Sequence, residues 1–489
     1  MTVLYRILRQ TLRYGLELYF VDIQAMGQET IPQDAPVIFA ANHPNSIMDT
    51  VILGAQTRRQ IHYMAKSQLF ENPLVATLFN QCGVIPVYQA KESEADSPRN
   101  EDSFRRAYEV LEEDGCIGIF PEGQNSLERR VRDIKTGTAR IALAAEAKND
   151  FQLGLQIIPV GLNFENRDRF LSSVLVRFGR AINVSDYADA HRADPRAAVR
   201  ALTDAVQEDI RQLATHIDDD RHHQLVRDIN QIYGQELLSE LIGDIRLDTR
   251  GMRDRLFDEV RATPGVKPDL DDRFVIEQYI ADAVSYYQQH DPAMVARVRM
   301  DIRRYKDHMR QVRLHQDFLN RPPETLSRRK DSLKFTYYAL VFGPLAVWGL
   351  INNFLPFKIT RSLTMRAPDE AMRAITGFVT GMFAYPLFYA AQGWAIWHLS
   401  ASWIVTLLYV LSLSPAGFFF LRYRRQIMRY RDRILARTMF RTRRNLIRQL
   451  MRERDTLIAT FDTLKDNYMR ANLPGAAAVE PVVEPVAVK

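Results

Sequence analysis

The chain has 489 residues, 46% hydrophobic and 25% charged, which excludes a disordered polymer and calls for more than one hydrophobic core. A net charge of +6 and a pI near 9.1 do not by themselves define a nucleic-acid binder, and suit an anionic membrane surface equally well. Two cysteines, Cys82 and Cys116, exclude a disulfide framework, point to a reducing compartment and lack metal-ligand spacing.

Residues 1–20 place Leu4, Ile7, Leu8, Leu12, Leu16 and Tyr19 at helical spacing, with Arg6, Arg9 and Arg13 between them. The spacing predicts an amphipathic helix, lying on a membrane or packed on its own domain. No secretory signal pattern is present there.

Residues 21–188 read as one α/β domain. Short apolar runs at 37–40, 84–87, 116–120 and 156–160 predict buried strands, and helical patterns fall near 47–56, 72–81, 100–114 and 136–148. The alternation predicts a mixed, largely parallel sheet flanked by helices, with any site at the carboxyl ends of the strands. Residues 189–333 are charged and helical, with a stripe at Val199, Leu202, Val206, Ile210 and Leu213 and an Asp291-Pro292 helix start. They read as a helical connecting domain.

Residues 334–421 form a membrane region with three apolar stretches of about the ~20 residues needed to cross a bilayer. Arg422, Arg424 and Arg425 after the last stretch, and Arg361, Arg366 and Arg373 before the second, make 374–397 and 402–421 a spanning hairpin with both ends cytoplasmic. Stretch 335–357 has basic flanks on both sides and holds Gly343-Pro344, Gly349 and Asn352-Asn353, so it is expected to be re-entrant. Residues 422–470 predict a basic helix, suited to anionic lipid headgroups rather than nucleic acid, and 471–489 a disordered tail.

Two blocks carry chemistry. Asn42-His43-Pro44-Asn45-Ser46-Ile47-Met48-Asp49 follows the first buried run. Ser46 is placed to cap the next helix, which puts Asp49 in its first turn, close to His43. The aspartate would hold one ring nitrogen and leave the other to accept a proton from a bound hydroxyl. A loop histidine beside a helix-start aspartate is the bland alternative. The second block is Phe120-Pro121-Glu122-Gly123, where a buried strand runs into a turn that presents Glu122. Ser126, Arg129, Arg130 and Lys135 follow it, suited to a polyol or phosphate.

Together these blocks resemble the glycerol-phosphate and lysophosphatidate acyltransferase superfamily over roughly residues 20–185. The resemblance implies a base–aspartate pair at His43 and Asp49, and acceptor binding by Glu122 and Gly123. It also implies an acyl-side segment at Ile157-Ile158-Pro159-Val160, with Ile158 and Pro159 on the acyl side, and a Lys135-Gly137 step. Five residues rather than four separate His43 from Asp49, and Ile85-Pro86-Val87 stands where an arginine-bearing block is usual. Both variants, with Asn45 two after the histidine, resemble the fungal-type glycerol-3-phosphate and dihydroxyacetone-phosphate acyltransferases.

The resemblance therefore implies a multi-pass membrane enzyme with its catalytic domain on the cytoplasmic face. It would move a fatty acyl group from an acyl thioester, on coenzyme A or acyl-carrier protein, to glycerol-3-phosphate. Asn45, Ser46, Ser126, Arg129 and Lys91 are further candidates for the acceptor, Lys91 or Arg129 taking its phosphate. 1-Acylglycerol-3-phosphate is the alternative acceptor, and a non-catalytic membrane scaffold or a nucleic-acid binder the remoter alternatives. Neither a metal nor a resident cofactor is expected.

Overall fold

A computed structural model describes residues 3–88, 98–124, 129–217, 220–248, 270–312, 328–442 and 444–472. Lys91, Ser126 and the tail from 473 lie outside the described residues. Two compact units are present: Met1–His216 with Ile351–Ser414, and Ile217–Leu350 with Pro415–Lys489.

The first unit is built on an eight-stranded sheet in the order β1-β7-β6-β2-β5-β3-β4, with β8 also paired to β6. The strands are β1 (Asp22–Met26), β2 (Val37–Ala41), β3 (Ile61–Lys66), β4 (Ile85–Val87), β5 (Cys116–Ile119), β6 (Gln156–Phe164), β7 (Ser173–Phe178) and β8 (Ile182–Asn183). β4, β3, β5, β2 and β6 run parallel, whereas β7 and β8 are antiparallel to β6. The sheet is thus mixed and largely parallel, as the runs predict.

Seven helices precede residue 217 among the described residues: α1 (Val3–Tyr19), α2 (Ile47–Gln56), α3 (Pro73–Gln81), α4 (Pro98–Glu112), α5 (Gly137–Lys148), α6 (Ala188–Ala193) and α7 (Pro195–Leu213). Side chains alternate across a strand, so each central strand feeds two cores. Val37, Phe39 and Ala41 of β2, with Ile158, Val160 and Leu162 of β6, face Leu16 of α1 and Ile52 of α2. Ile38 and Ala40, with Ile157, face Leu111 of α4, Ala142 of α5 and Leu202, Val206 and Ile210 of α7. Continuous apolar runs result because both faces are covered.

The first unit therefore runs past the expected boundary at 188. The α7 stripe, read as part of a connecting domain, closes one face of this sheet. α1 packs on the other face through Tyr5, Leu16 and Tyr19, while Ile7, Tyr14 and Leu18 stay exposed.

In the second unit α8 (Asp220–Asp248), α9 (Leu270–His290), α10 (Pro292–Val312) and α14 (Arg444–Asn472) share a core that includes Ile229, Tyr233, Ile280, Val298, Tyr305, Leu450 and Phe461. Asp291 caps α10 by accepting from Met294 N at 3.0 Å. The apolar stripe of the basic 422–470 segment is buried in this bundle, with Leu450 and Leu457 inside it. The first half of that segment instead prolongs α13 (Trp403–Thr442).

Three helices contain windows long and apolar enough to cross a membrane: Phe335–Thr364, Met372–Ser400 and Trp403–Met428. They belong to α11 (Arg328–Thr364), α12 (Glu370–Ser400) and α13. Much of their apolar surface is exposed, Leu340 at 72% and Phe383 at 69%, which fits a lipid surround better than water.

The hairpin expected at 335–357 is not there. α11 is one unbroken helix through Pro344, Gly349, Asn352 and Asn353. Those residues serve contacts between helices instead of breaks. A Cβ on Gly349 would fall 2.1 Å from the Ala416 carbonyl oxygen. Asn353 Nδ2 donates to Leu413 O at 3.1 Å and its Oδ1 accepts from Tyr389 at 2.6 Å, while Asn352 Oδ1 accepts from Tyr409 at 2.7 Å. Small and amide-bearing residues on apolar helices are spent on such close packing and interhelical hydrogen bonds, a use that composition alone does not separate from a turn.

Candidate active site

The site lies where three neighbouring parallel strands end. β2 runs into Asn42 and His43, β5 into Phe120 and Glu122, and β6 into Arg167. A cleft of about 430 Å3, open to solvent, lies among them; its walls include His43, Glu122, Arg129, Arg130, Asn163 and Arg167.

His43 Nδ1 lies 2.9 Å from Asp49 Oδ2. Asp49 stands in the first turn of α2, fully buried, and the same Oδ2 accepts from Asn45 N at 2.7 Å. This resembles the return arm of a capping box, reaching one residue further back. It closes the 43–49 loop around the aspartate and accommodates the fifth intervening residue. Ser46 bends the loop at φ 49°, a left-handed value uncommon for a side-chain-bearing residue. Its hydroxyl makes no cap bond and donates to Met372 Sδ at 3.7 Å. The helix cap expected of Ser46 is absent because Asp49 takes over fastening the loop. Burial raises the Asp49 carboxyl above the ordinary aspartate range, against the opposing pull of His43, Asn45 N–H and Arg167.

The His43 ring stacks on Phe120, with centroids 4.1 Å apart and planes 19° apart. Below it Asn42 ties β2 to β6, accepting from Leu162 N at 2.7 Å. Glu122, 4% exposed, accepts from His43 N at 3.0 Å and Arg132 N at 3.4 Å. It thereby joins the two motif loops through backbone donors. Gly123 adopts φ 72° and donates to Phe120 O at 3.0 Å; a Cβ there would come within 3.0 Å of Lys135 Nζ. Its N–H is therefore already engaged, so it is not a spare oxyanion donor.

Burial also raises the Glu122 carboxyl, opposed by its bonds to His43 N–H and Arg132 N–H. With the folded value above the unfolded one, its stabilising contribution is fully present below the unfolded pKa, about 4.3. That contribution is lost as pH rises through the folded value. Glu122→Gln should remove this slope. Thermal melts of both proteins at stepped pH should show the variant gaining on wild type as pH rises, whatever its baseline; parallel curves would contradict the assignment.

Other predicted residues occupy different places. Asn45 is fully buried and donates Nδ2 to Arg167 O at 2.9 Å, so it staples loops rather than facing the cleft. Ile158 and Pro159 lie inside β6, buried between β2 and β7, so they form core rather than a visible acyl surface. Arg129 does line the cleft, with Nη2 on Phe164 O at 3.1 Å and Glu165 O at 2.8 Å. Arg167, which donates Nη1 to Pro44 O at 3.4 Å, was not among the sequence candidates. Nothing local marks it, because the fold alone brings it 124 residues back to His43. Among the described residues no group of three or more His, Cys, Asp or Glu side chains is placed to hold a metal ion.

A buried aspartate holding a histidine thus lies at the mouth of an arginine-lined cleft. Residues 22–163 match the family model described as Acyltransferase. The chain is 22% identical over 326 residues to glycerol-3-phosphate O-acyltransferase 1 of Saccharomyces cerevisiae, covering 49% of this chain and 43% of that one. It is 32% identical over 109 residues to the yeast glycerol-3-phosphate O-acyltransferase 2, covering 22% and 14%. It thus spans less than half the length of either yeast relative. The 1-acyl-sn-glycerol-3-phosphate acyltransferase of Bacillus subtilis is 24% identical over 212 residues, covering 42% of this chain and 92% of that one. Among solved structures, the 1-acyl-sn-glycerophosphate acyltransferase of Thermotoga maritima matches at 21% identity and TM-score 0.31, over 41% of this chain and 79% of that one.

Proposed function

We propose that this chain is a membrane acyltransferase that moves a fatty acyl group from an acyl thioester, acyl-CoA or acyl-carrier protein, to a hydroxyl of glycerol-3-phosphate. The observation that carries the reading is the His43–Asp49 pair opening onto a cleft lined by Arg129, Arg130 and Arg167. Asp49 holds Nδ1–H and leaves Nε2 as the base. Nε2 takes the proton of the acceptor hydroxyl as its oxygen attacks the thioester carbonyl. The C–S bond then breaks, and the leaving thiolate takes the proton back from Nε2–H. The arginines supply charge-assisted hydrogen bonds to the acceptor phosphate.

The catalytic unit lies on the cytoplasmic face of a multi-pass protein in which α12 and α13 cross the membrane and α11, basic at both ends, does not. The orientation is supported by Lys358, Arg361, Arg366 and Arg373 at the α11–α12 junction and by Arg422, Arg424 and Arg425 in α13. A tag between 358 and 373 reachable from the outer face would overturn it. Anionic headgroups are the expected partners of these cations.

1-Acylglycerol-3-phosphate is a second acceptor reading, favoured by the Bacillus subtilis relative, whose length is matched almost throughout. Purified protein given labelled acyl-CoA with each acceptor in turn decides between them. Monoacylated glycerol phosphate from glycerol-3-phosphate is the expected product. Faster phosphatidate formation from the lyso acceptor would reverse the preference, and no product from either would defeat the proposal. Arg130→Ala, at an exposed cleft position, should raise KM for the acceptor about tenfold or more, the cost of a charged hydrogen bond. An unchanged KM would remove Arg130 from the phosphate contact.

A further inference from the structure

The first turns of α12 belong to the catalytic core. Ala374, Ile375 and Phe378 are buried with Leu16, Tyr19, Met48 and Ile52. Phe378 meets Tyr19 edge-on at 5.8 Å, and a Cβ at Gly15 would fall 2.9 Å from the Phe378 ring. Asp369 starts the helix by accepting from Met372 N at 2.7 Å. Two side chains then reach the site's loops: Met372 Sδ accepts from Ser46 Oγ, and Arg373 Nη1 lies 3.6 Å from Asp168 Oδ2. Asp168 directly follows Arg167, whose side chain lines the cleft and whose carbonyl accepts from Asn45 in the catalytic loop.

We propose that Arg373 is a positioning residue for acceptor recognition: through Asp168 it holds the 165–169 loop so that Arg167 presents its guanidinium to the acceptor phosphate. This deepens the proposed function and rests on it. At side-chain exposures of 30% and 41% the ion pair contributes little to stability. Its effect belongs to geometry, because a binding group must be held within about 0.5 Å of its productive place. The arrangement ties acceptor binding to the seating of an apolar helix, so the polar site is complete only when α12 is docked.

The test uses the full chain reconstituted in lipid vesicles, with glycerol-3-phosphate saturation kinetics beside calorimetric titration of glycerol-3-phosphate without donor. Arg373→Ala and Asp168→Asn should each raise KM and Kd for glycerol-3-phosphate about five- to tenfold, with kcat within about twofold and Tm unchanged. The double variant should be no worse than either single one, and Arg373→Lys should recover most of the loss. Additive losses would mean that Arg373 acts on the phosphate by its own charge and would overturn the proposal. Wild-type KM and Kd in Arg373→Ala would overturn it too, as would a joint fall of kcat and Tm. If the wild-type chain neither binds nor acylates any glycerol phosphate, the functional reading falls first and this inference falls with it. Binding by wild type that is equal in Arg373→Ala removes the inference alone.

Discussion

His43→Ala should lower kcat by about 10²–10⁴-fold, the range of a lost general base. The fold should survive, because the structural bond made by His43 is its backbone N–H to Glu122, which alanine retains. What disappears is the ring: its bond to Asp49 and its stack on Phe120. The stack is worth about 0.5–1.5 kcal/mol beyond its buried area, a small shift in melting temperature beside a collapse in rate. The check is initial rates at saturating acceptor together with a thermal melt. A variant that turns over at near-wild-type rate would leave the site without its base and remove the central claim.

Asp49→Asn should come close to the same loss, about 10³–10⁴-fold, with little change in structure. Asp49 accepts two hydrogen bonds on one oxygen, from His43 and from Asn45 N. Asparagine keeps an acceptor for the loop, but its amide can meet the ring as a donor and so turn the tautomer, placing the proton on the nitrogen that must be bare. Asp49→Ala differs in kind: it leaves the Asn45 N–H without its acceptor inside the protein, at about 1–3 kcal/mol, and should lower stability as well. Because the pair acts as one unit, His43→Ala combined with Asp49→Asn should be no slower than His43→Ala alone. Multiplying losses in the double variant would show that the aspartate works apart from the histidine.

Much of the sheet was legible from local pattern. The runs at 37–40, 116–120 and 156–160 became β2, β5 and β6 because strands covered on both faces carry continuous apolar sequence. β3 and β7 gave weaker signals. His62 and Lys66 in β3 and Arg177 in β7 interrupt the apolar pattern, and β7 is antiparallel at the side of the sheet. The hairpin expected at 335–357 gives way to a continuous helix for a related reason. Gly349, Asn352 and Asn353 look like breakers in isolation, and only the neighbouring helices show that each is engaged.

The sequence alone marked the residues at the centre of the candidate site. His43, Asp49 and Glu122 stand out because a histidine, a carboxylate and a strand-end turn sit at short, constrained spacings, where local geometry limits what the side chains can do. Tertiary structure decided what surrounds them. It showed Asn45 as a staple, Ser46 without its cap, Ile158 and Pro159 as core, and Arg167 and Arg373 close to the 43–49 loop and its partners. Arg167 and Arg373 lie more than a hundred residues from His43, and only the close of the chain around a shared core brings them there. A spacing pattern can encode contacts within a loop or a helix turn, but not those that packing creates between distant segments.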